Sequence, residues 1–251
     1  MRETPIDMQT GAVVYVHGAG GGGWEWNVWR RVFAASGWRC HAPDLQPVLA
    51  GLAGTRLVDY VDQVVAAANA AAIQSAPEHA PVLIGASLGG LLALAASARV
   101  AVAALVLINP MPFSGGQDAG LEAFADDANY ADGVVPWHSQ RALASTLRAL
   151  PDADDAARLF AFRHWRDESA SMLREARGGI AMVAPSCPIL VLSSEYDDVP
   201  PATSRELALS LGAESRVLAR ESHVGPLLGR RASLYAEETL SWLRRALIAA
   251  A

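Results

Sequence analysis

The sequence predicts an α/β fold: a mostly parallel sheet with helices on both faces and a helical lid inserted between two strands. Three observations lead there. Short apolar or β-branched runs alternate with longer helical stretches, the pattern of strands joined by crossover helices. The alternation stops between Met111 and Ser186 and then resumes. The chain has 251 residues, 52% hydrophobic and 18% charged, which is long enough for one well-buried core. The expected division is a core built from residues 1–110 and 187–251, with residues 111–186 as the lid.

The elements follow in order. The run AVVYV, residues 12–16, is the first strand and leads into HGAGGGG at 17–23. Next, WNVWRRVFAASG has helical apolar spacing and a glycine stop, and LVDYVDQVVAAANAAA is a second amphipathic helix, with the strand RCHAP between them. Trp24, Trp26 and Trp29 read as core and helix-packing residues. The strand PVLIGA precedes the helix LLALAASARV, and AALVLIN ends in Asn109-Pro110. In the lid, a Gly-rich acidic stretch, FSGGQDAGLEAFADDANYADG, precedes helical segments near 139–149, 153–164 and 167–176. The strands PILVLSS and SRVLA and the helix ASLYAEETLSWLRRALIAA complete the sheet domain.

Composition narrows the partners. The net charge is -6 and no lysine occurs, which argues against a phosphate-backbone partner, because nucleic-acid affinity comes mainly from clustered cations. Cys40 and Cys187 lie in or beside apolar runs and read as core thiols, with no disulfide framework or metal site. The N-terminal MRETPIDMQTG lacks the features of a secretory signal, and no apolar run is long enough to span a bilayer. The expectation is a soluble cytoplasmic protein with no nucleic-acid or membrane partner.

The glycine-rich loop admits two readings. Gly18, Gly20 and Gly23 match a dinucleotide fingerprint after a strand, with Asp44 about 20 residues on as the ribose-binding acid. Alternatively, the loop serves acyl transfer. The segment Gly85-Ala86-Ser87-Leu88-Gly89 favours the second. A serine between an apolar strand and a helix, with glycine two residues to either side, is a nucleophile elbow; the sharp turn leaves no room for Cβ atoms at the glycines. A serine hydroxyl needs a base and an acid behind it. Asp197 and Asp198 follow the strand PILVLSS, and His223 follows the last strand, so Ser, Asp and His come in the order this architecture expects. Asp197 is preferred to Asp198 by its distance from the following prolines, and His223 is preferred to the other five histidines by its position in the chain.

The stretches VHGAGGGGWEWNVWRRVFAASGWRCHAPDL, LIGASLGG, LSSEYDDVP and SHVG together resemble the α/β-hydrolase superfamily. The first is most similar to the plant methylesterase and hydroxynitrile lyase branch. The resemblance covers most of the sheet domain and fades from Met111 to Ser186. It implies the N–H groups of Ala19 and Leu88 as oxyanion donors, an orienting role for His17, and no metal or organic cofactor. It also removes neighbours: dehalogenases and epoxide hydrolases of this fold carry aspartate at the elbow, and hydroxynitrile lyases depend on a lysine. The expected function is a serine hydrolase acting on a small-molecule carboxylic ester with a small or medium apolar acyl group, Ser87, Asp197 and His223 forming the triad. Thioester cleavage, carbon-carbon bond hydrolysis, cofactor-free haloperoxidase chemistry and a non-turnover ligand receptor are the alternatives. In the lid, Trp137, Phe160, Phe162 and Trp165 are pocket candidates or simple core.

Overall fold

A computed structural model describes residues 11–74, 80–111, 130, 132–180 and 183–250. Its main sheet is built from β1 (Ala12–Val16), β2 (Arg39–His41), β3 (Val82–Ala86), β4 (Ala104–Ile108), β7 (Ile189–Tyr196) and β8 (Glu214–Ser222). The strand order is β2-β1-β3-β4-β7-β8 and every pairing is parallel. β1, β3 and β4 are buried along their whole length, which is why they read as continuous apolar runs.

Alternate side chains of each strand feed two cores. Val13, Tyr15, Ile84 and Val106 meet α1 (Asn27–Ala35) and α9 (Ala232–Ala250) through Trp29, Phe33, Tyr235 and Leu243. Val14, Val16, Leu83 and Leu105 meet α2 (Leu57–Gln74), α3 (Leu88–Ser97) and α7 (Pro201–Leu211) through Val64, Leu91 and Leu211. Helix ends follow local chemistry: α7 starts on Pro201 and stops at Gly212, whose φ of 63° suits a residue without Cβ.

Between β4 and β7 lie elements outside the main sheet: the two-residue strands β5 (Val134–Val135) and β6 (Glu168–Ser169), paired antiparallel, and the helices α4 (Leu143–Ala149), α5 (Asp155–His164) and α6 (Ala170–Arg177). Asp154 caps α5 by accepting from Ala157 N at 2.8 Å, and Ser169 caps α6 by accepting from Met172 N at 3.2 Å. The third helical segment therefore begins at Ala170 rather than near 167, because Glu168 and Ser169 are extended and paired. Most of the Gly-rich acidic stretch from 113 to 133, and the N-terminal ten residues, lie outside the described residues. Trp26 and Trp29 are fully buried in the core, whereas Trp24 packs outward on Phe160 and Trp165.

Candidate active site

The chain passes from β1 to β2 on one side and then crosses to β3 on the other, so the loops leaving the C-terminal ends of β1 and β3 diverge. Such a switch point is where an open parallel sheet leaves a crevice. Residues 17–23 leave β1 there, and Ser87 leaves β3. Ser87 has φ 53° and ψ −122°, a backbone conformation that L-residues avoid. Its flanking glycines are required by contact: a Cβ on Gly85 would lie 2.1 Å from Gly89 O, and one on Gly89 would lie 2.1 Å from Val16 O. The strained turn is thus held by close backbone approach on both sides.

The glycine loop is pinned by the protein's own carboxyl groups. Gly18 N donates to Glu25 Oε2 at 3.3 Å, Gly20 N to Glu168 Oε2 at 3.2 Å and Gly23 N to Asp44 Oδ1 at 2.7 Å. These are the N–H groups a phosphate cradle would offer, and they are already occupied, which removes the dinucleotide reading; Asp44 caps the loop instead. Leu45 N donates to His17 Nε2 at 3.0 Å, so His17 Nδ1–H donates to Gly18 O at 2.8 Å. Burial lowers the His17 pKa to about 4, which keeps this tautomer neutral. Among the described residues, the N–H groups of Ala19 and Leu88 have no acceptor.

Asp197 follows β7 and His223 follows β8. His223 Nδ1 lies 2.8 Å from Asp197 Oδ1, and the Asp197 side chain is 2% exposed. Asp198 has no hydrogen bond to His223 and acts on it only through its charge. Burial acts to lower the His223 pKa, but the Asp197 hydrogen bond and charge, helped by the charge of Asp198, outweigh it and leave the pKa above the ordinary value. Two residues outside the sequence-derived set hold this loop. Asn109 Nδ2 donates to His223 O at 2.6 Å and to Ser194 Oγ at 2.9 Å, while its Oδ1 accepts from Ser194 N at 2.6 Å. Asp152, between α4 and α5, accepts from Ser222 N at 2.7 Å and Ser222 Oγ at 2.8 Å. Neither had a usable signal beyond sitting at a strand end or in a loop.

Ser87, Asp197 and His223 all border one cavity of about 410 Å³, together with Gly18, Ala19 and Gly20. Trp137 and Trp165 line it from the inserted segment; Phe160 and Phe162 do not. Phe160 stacks on His164 with ring centroids 3.9 Å apart, and Phe162 packs under the Arg141 guanidinium. Among the described residues no group of three His, Cys, Asp or Glu side chains is arranged to hold a metal ion, and no helix is long and apolar enough to cross a membrane. Cys40 and Cys187 are free thiols, each half-buried.

A family model described as the alpha/beta hydrolase family matches residues 13–238. No curated protein matches the sequence. Among solved structures, the chain resembles polyneuridine aldehyde esterase at 15% identity, covering 92% of this chain and 100% of that one with a TM-score of 0.66. It resembles a methylesterase from Arabidopsis at 14% identity, covering 93% and 99% with a TM-score of 0.69. A thermophilic esterase from Thermogutta terrifontis gives 19% identity, 94% and 92% coverage, and a TM-score of 0.68.

Proposed function

The chain belongs to the alpha/beta hydrolase family, and we propose that within it this protein is a serine hydrolase cleaving a carboxylic ester through an acyl-enzyme. One observation carries the reading: His223 is bonded through Nδ1 to a buried carboxylate and borders the same cavity as a serine held in a strained elbow. In this mechanism His223 Nε2 takes the proton of Ser87 as Oγ bonds to the acyl carbon, and Asp197 fixes the tautomer and stabilises the imidazolium. The N–H groups of Ala19 and Leu88 hold the oxyanion; preorganised donors of this kind contribute about 3 kcal/mol each. The carbon–oxygen bond then breaks, the alcohol leaves with the proton from His223, and water repeats the sequence on the acyl-enzyme.

The cavity volume and the Trp137, Trp165 and Leu227 surfaces favour a small or medium apolar acyl group. The helices between β4 and β7 serve as its lid. Solved structures of similar fold include esterases, which supports an ester as the substrate class. Fluorophosphonate labelling, mapped by mass spectrometry, tests the reading. Label on Ser87, lost in Ser87→Ala and His223→Ala, is the expected result; no label on the folded protein overturns it.

A further inference from the structure

Glu25 is an acid in an unusual place. It lies in the 3-10 turn Gly23–Trp26, between two tryptophans, and the side chain is turned inward: the residue is 3% exposed and borders the same cavity as Ser87 and His223. Its Oε2 accepts the Gly18 N–H, one peptide before Ala19, and its carboxyl lies against the Gly21 backbone, where any Cβ would come within 2.5 Å of it. Gly18 itself abuts the nucleophile, a Cβ there lying 3.4 Å from Ser87 Cβ. The glycine run therefore makes space for a carboxyl group beside the reacting centre.

A neutral carboxyl and a carboxylate in that position act very differently. The neutral acid accepts the Gly18 N–H and adds no charge. A carboxylate would place a full negative charge in a poorly solvated site where a tetrahedral oxyanion must form, and like charges in such surroundings repel strongly. Nothing nearby neutralises it: the titratable group facing Glu25 is His223, whose charge is already matched by Asp197. The other ionisable side chains on the cavity wall are Asp197 and Asp198 after β7, Tyr196 at its end, and Arg141 and Arg148 from the inserted segment; His17 adjoins Gly18 behind the loop. None of them bonds to Glu25.

We propose that Glu25 is a further acid of the active site that works as the neutral carboxyl, and that its ionisation sets the alkaline limit of Ser87 reactivity. Burial, the largest influence on it, raises its pKa to about 8, so the switch falls inside the working range of an esterase. The acid limit belongs to His223, which must lose its proton to act as base. This rests on the serine-hydrolase reading above, and it predicts that the two limits respond to different substitutions.

The test is the rate at which a fluorophosphonate modifies Ser87 from pH 5.5 to 9.5. In that step the Ser87 oxygen bonds to phosphorus, fluoride leaves with the phosphorus–fluorine electron pair, and His223 takes the serine proton. For the unmodified protein, the rate should fall at least tenfold between pH 7 and 9.5; a rate flat over that range overturns the proposal without any variant. In Glu25→Gln and in Glu25→Met the alkaline fall should shrink to less than threefold while the acid limit stays in place. An unchanged alkaline fall in either folded variant also overturns it. Glu25→Met leaves Gly18 N–H without an acceptor and should in addition react more slowly at pH 7. Labelling that survives Ser87→Ala would instead refute the hydrolase reading, so the two failures are distinguishable.

Discussion

Replacing Gly89 by alanine puts a Cβ 2.1 Å from the Val16 carbonyl oxygen and 2.6 Å from that of His17. Both are backbone atoms of the β1 end, held by ladder bonds and by the His17 contacts, so they cannot rotate aside. Real Cβ atoms essentially never approach closer than 3.0 Å, so α3 must move by about 1 Å away from β1. Alanine in a helix is worth about 1 kcal/mol over glycine, which offsets part of the overpacking cost of about 1–3 kcal/mol or more. With the 2.1 Å approach placing the cost at about 3 kcal/mol, the top of that range, the expected net loss is about 2 kcal/mol in urea unfolding followed by tryptophan fluorescence. Catalysis should suffer more, because the displaced segment carries Ser87 and Leu88: a 1 Å misplacement can cost about a hundredfold in kcat/KM. Gly90→Ala is the control. Its Cβ would meet Pro110 at 3.0 Å from Cβ and 3.2 Å from Cα, an overlap of a few tenths of an ångström rather than about 1 Å, and the helix gain offsets part of it, so stability should fall by no more than about 1 kcal/mol. If Gly89→Ala proves as stable and as active as Gly90→Ala, the close approach of α3 and β1 does not hold the elbow, and the reasoning fails.

Asp197→Asn should keep the fold while lowering kcat by about 10³–10⁴-fold, because an amide favours the wrong imidazole tautomer; Asp198→Asn measured in the same ester assay should change kcat by less than about threefold. Asp152→Ala removes two acceptors from Ser222. Leaving those donors unsatisfied should cost about 2 kcal/mol in denaturant unfolding and lower kcat through the adjacent His223, whereas Asp152→Asn should recover part of both. Glu25→Gln should change how stability depends on pH. The Glu25 pKa is raised on folding from 4.5 to about 8, so between those values the folded chain holds the extra proton and stability drains as pH rises. The variant lacks this loss and should gain about 3 kcal/mol on the parent between pH 4.5 and 7, read as the difference between two urea series. A difference that stays constant with pH would show that Glu25 is ionised in the folded protein.

The strands and their crossover helices were legible because each strand that is buried on both faces must be apolar throughout, and each crossover helix carries its own periodicity; the order of the strands in the sheet was not. Ser87 was legible for a similar reason, since the elbow is a local turn whose glycines lie within four residues of one another. The order of Ser87, Asp197 and His223 followed from strand ends, and the structure brings all three to one cavity. Element bounds were less legible where pairing, not composition, decides them: β8 runs through the polar Arg220 and Glu221 to Ser222, reaching His223. The loop glycines by themselves left two chemistries open, and the choice came from which atoms occupy their N–H groups. Glu168 reaches Gly20 across 148 residues of sequence, Asn109 reaches the His223 carbonyl across 114, and Asp152 reaches Ser222 across 70. Within the sequence each is an ordinary polar residue, indistinguishable from one on a solvated surface. Local pattern thus determined the Ser87 elbow and the architecture, because both depend on backbone turns and apolar periodicity. Tertiary structure alone decided which carboxyl groups are buried and which donors they accept from, because burial and pairing are properties of neighbours far away along the chain.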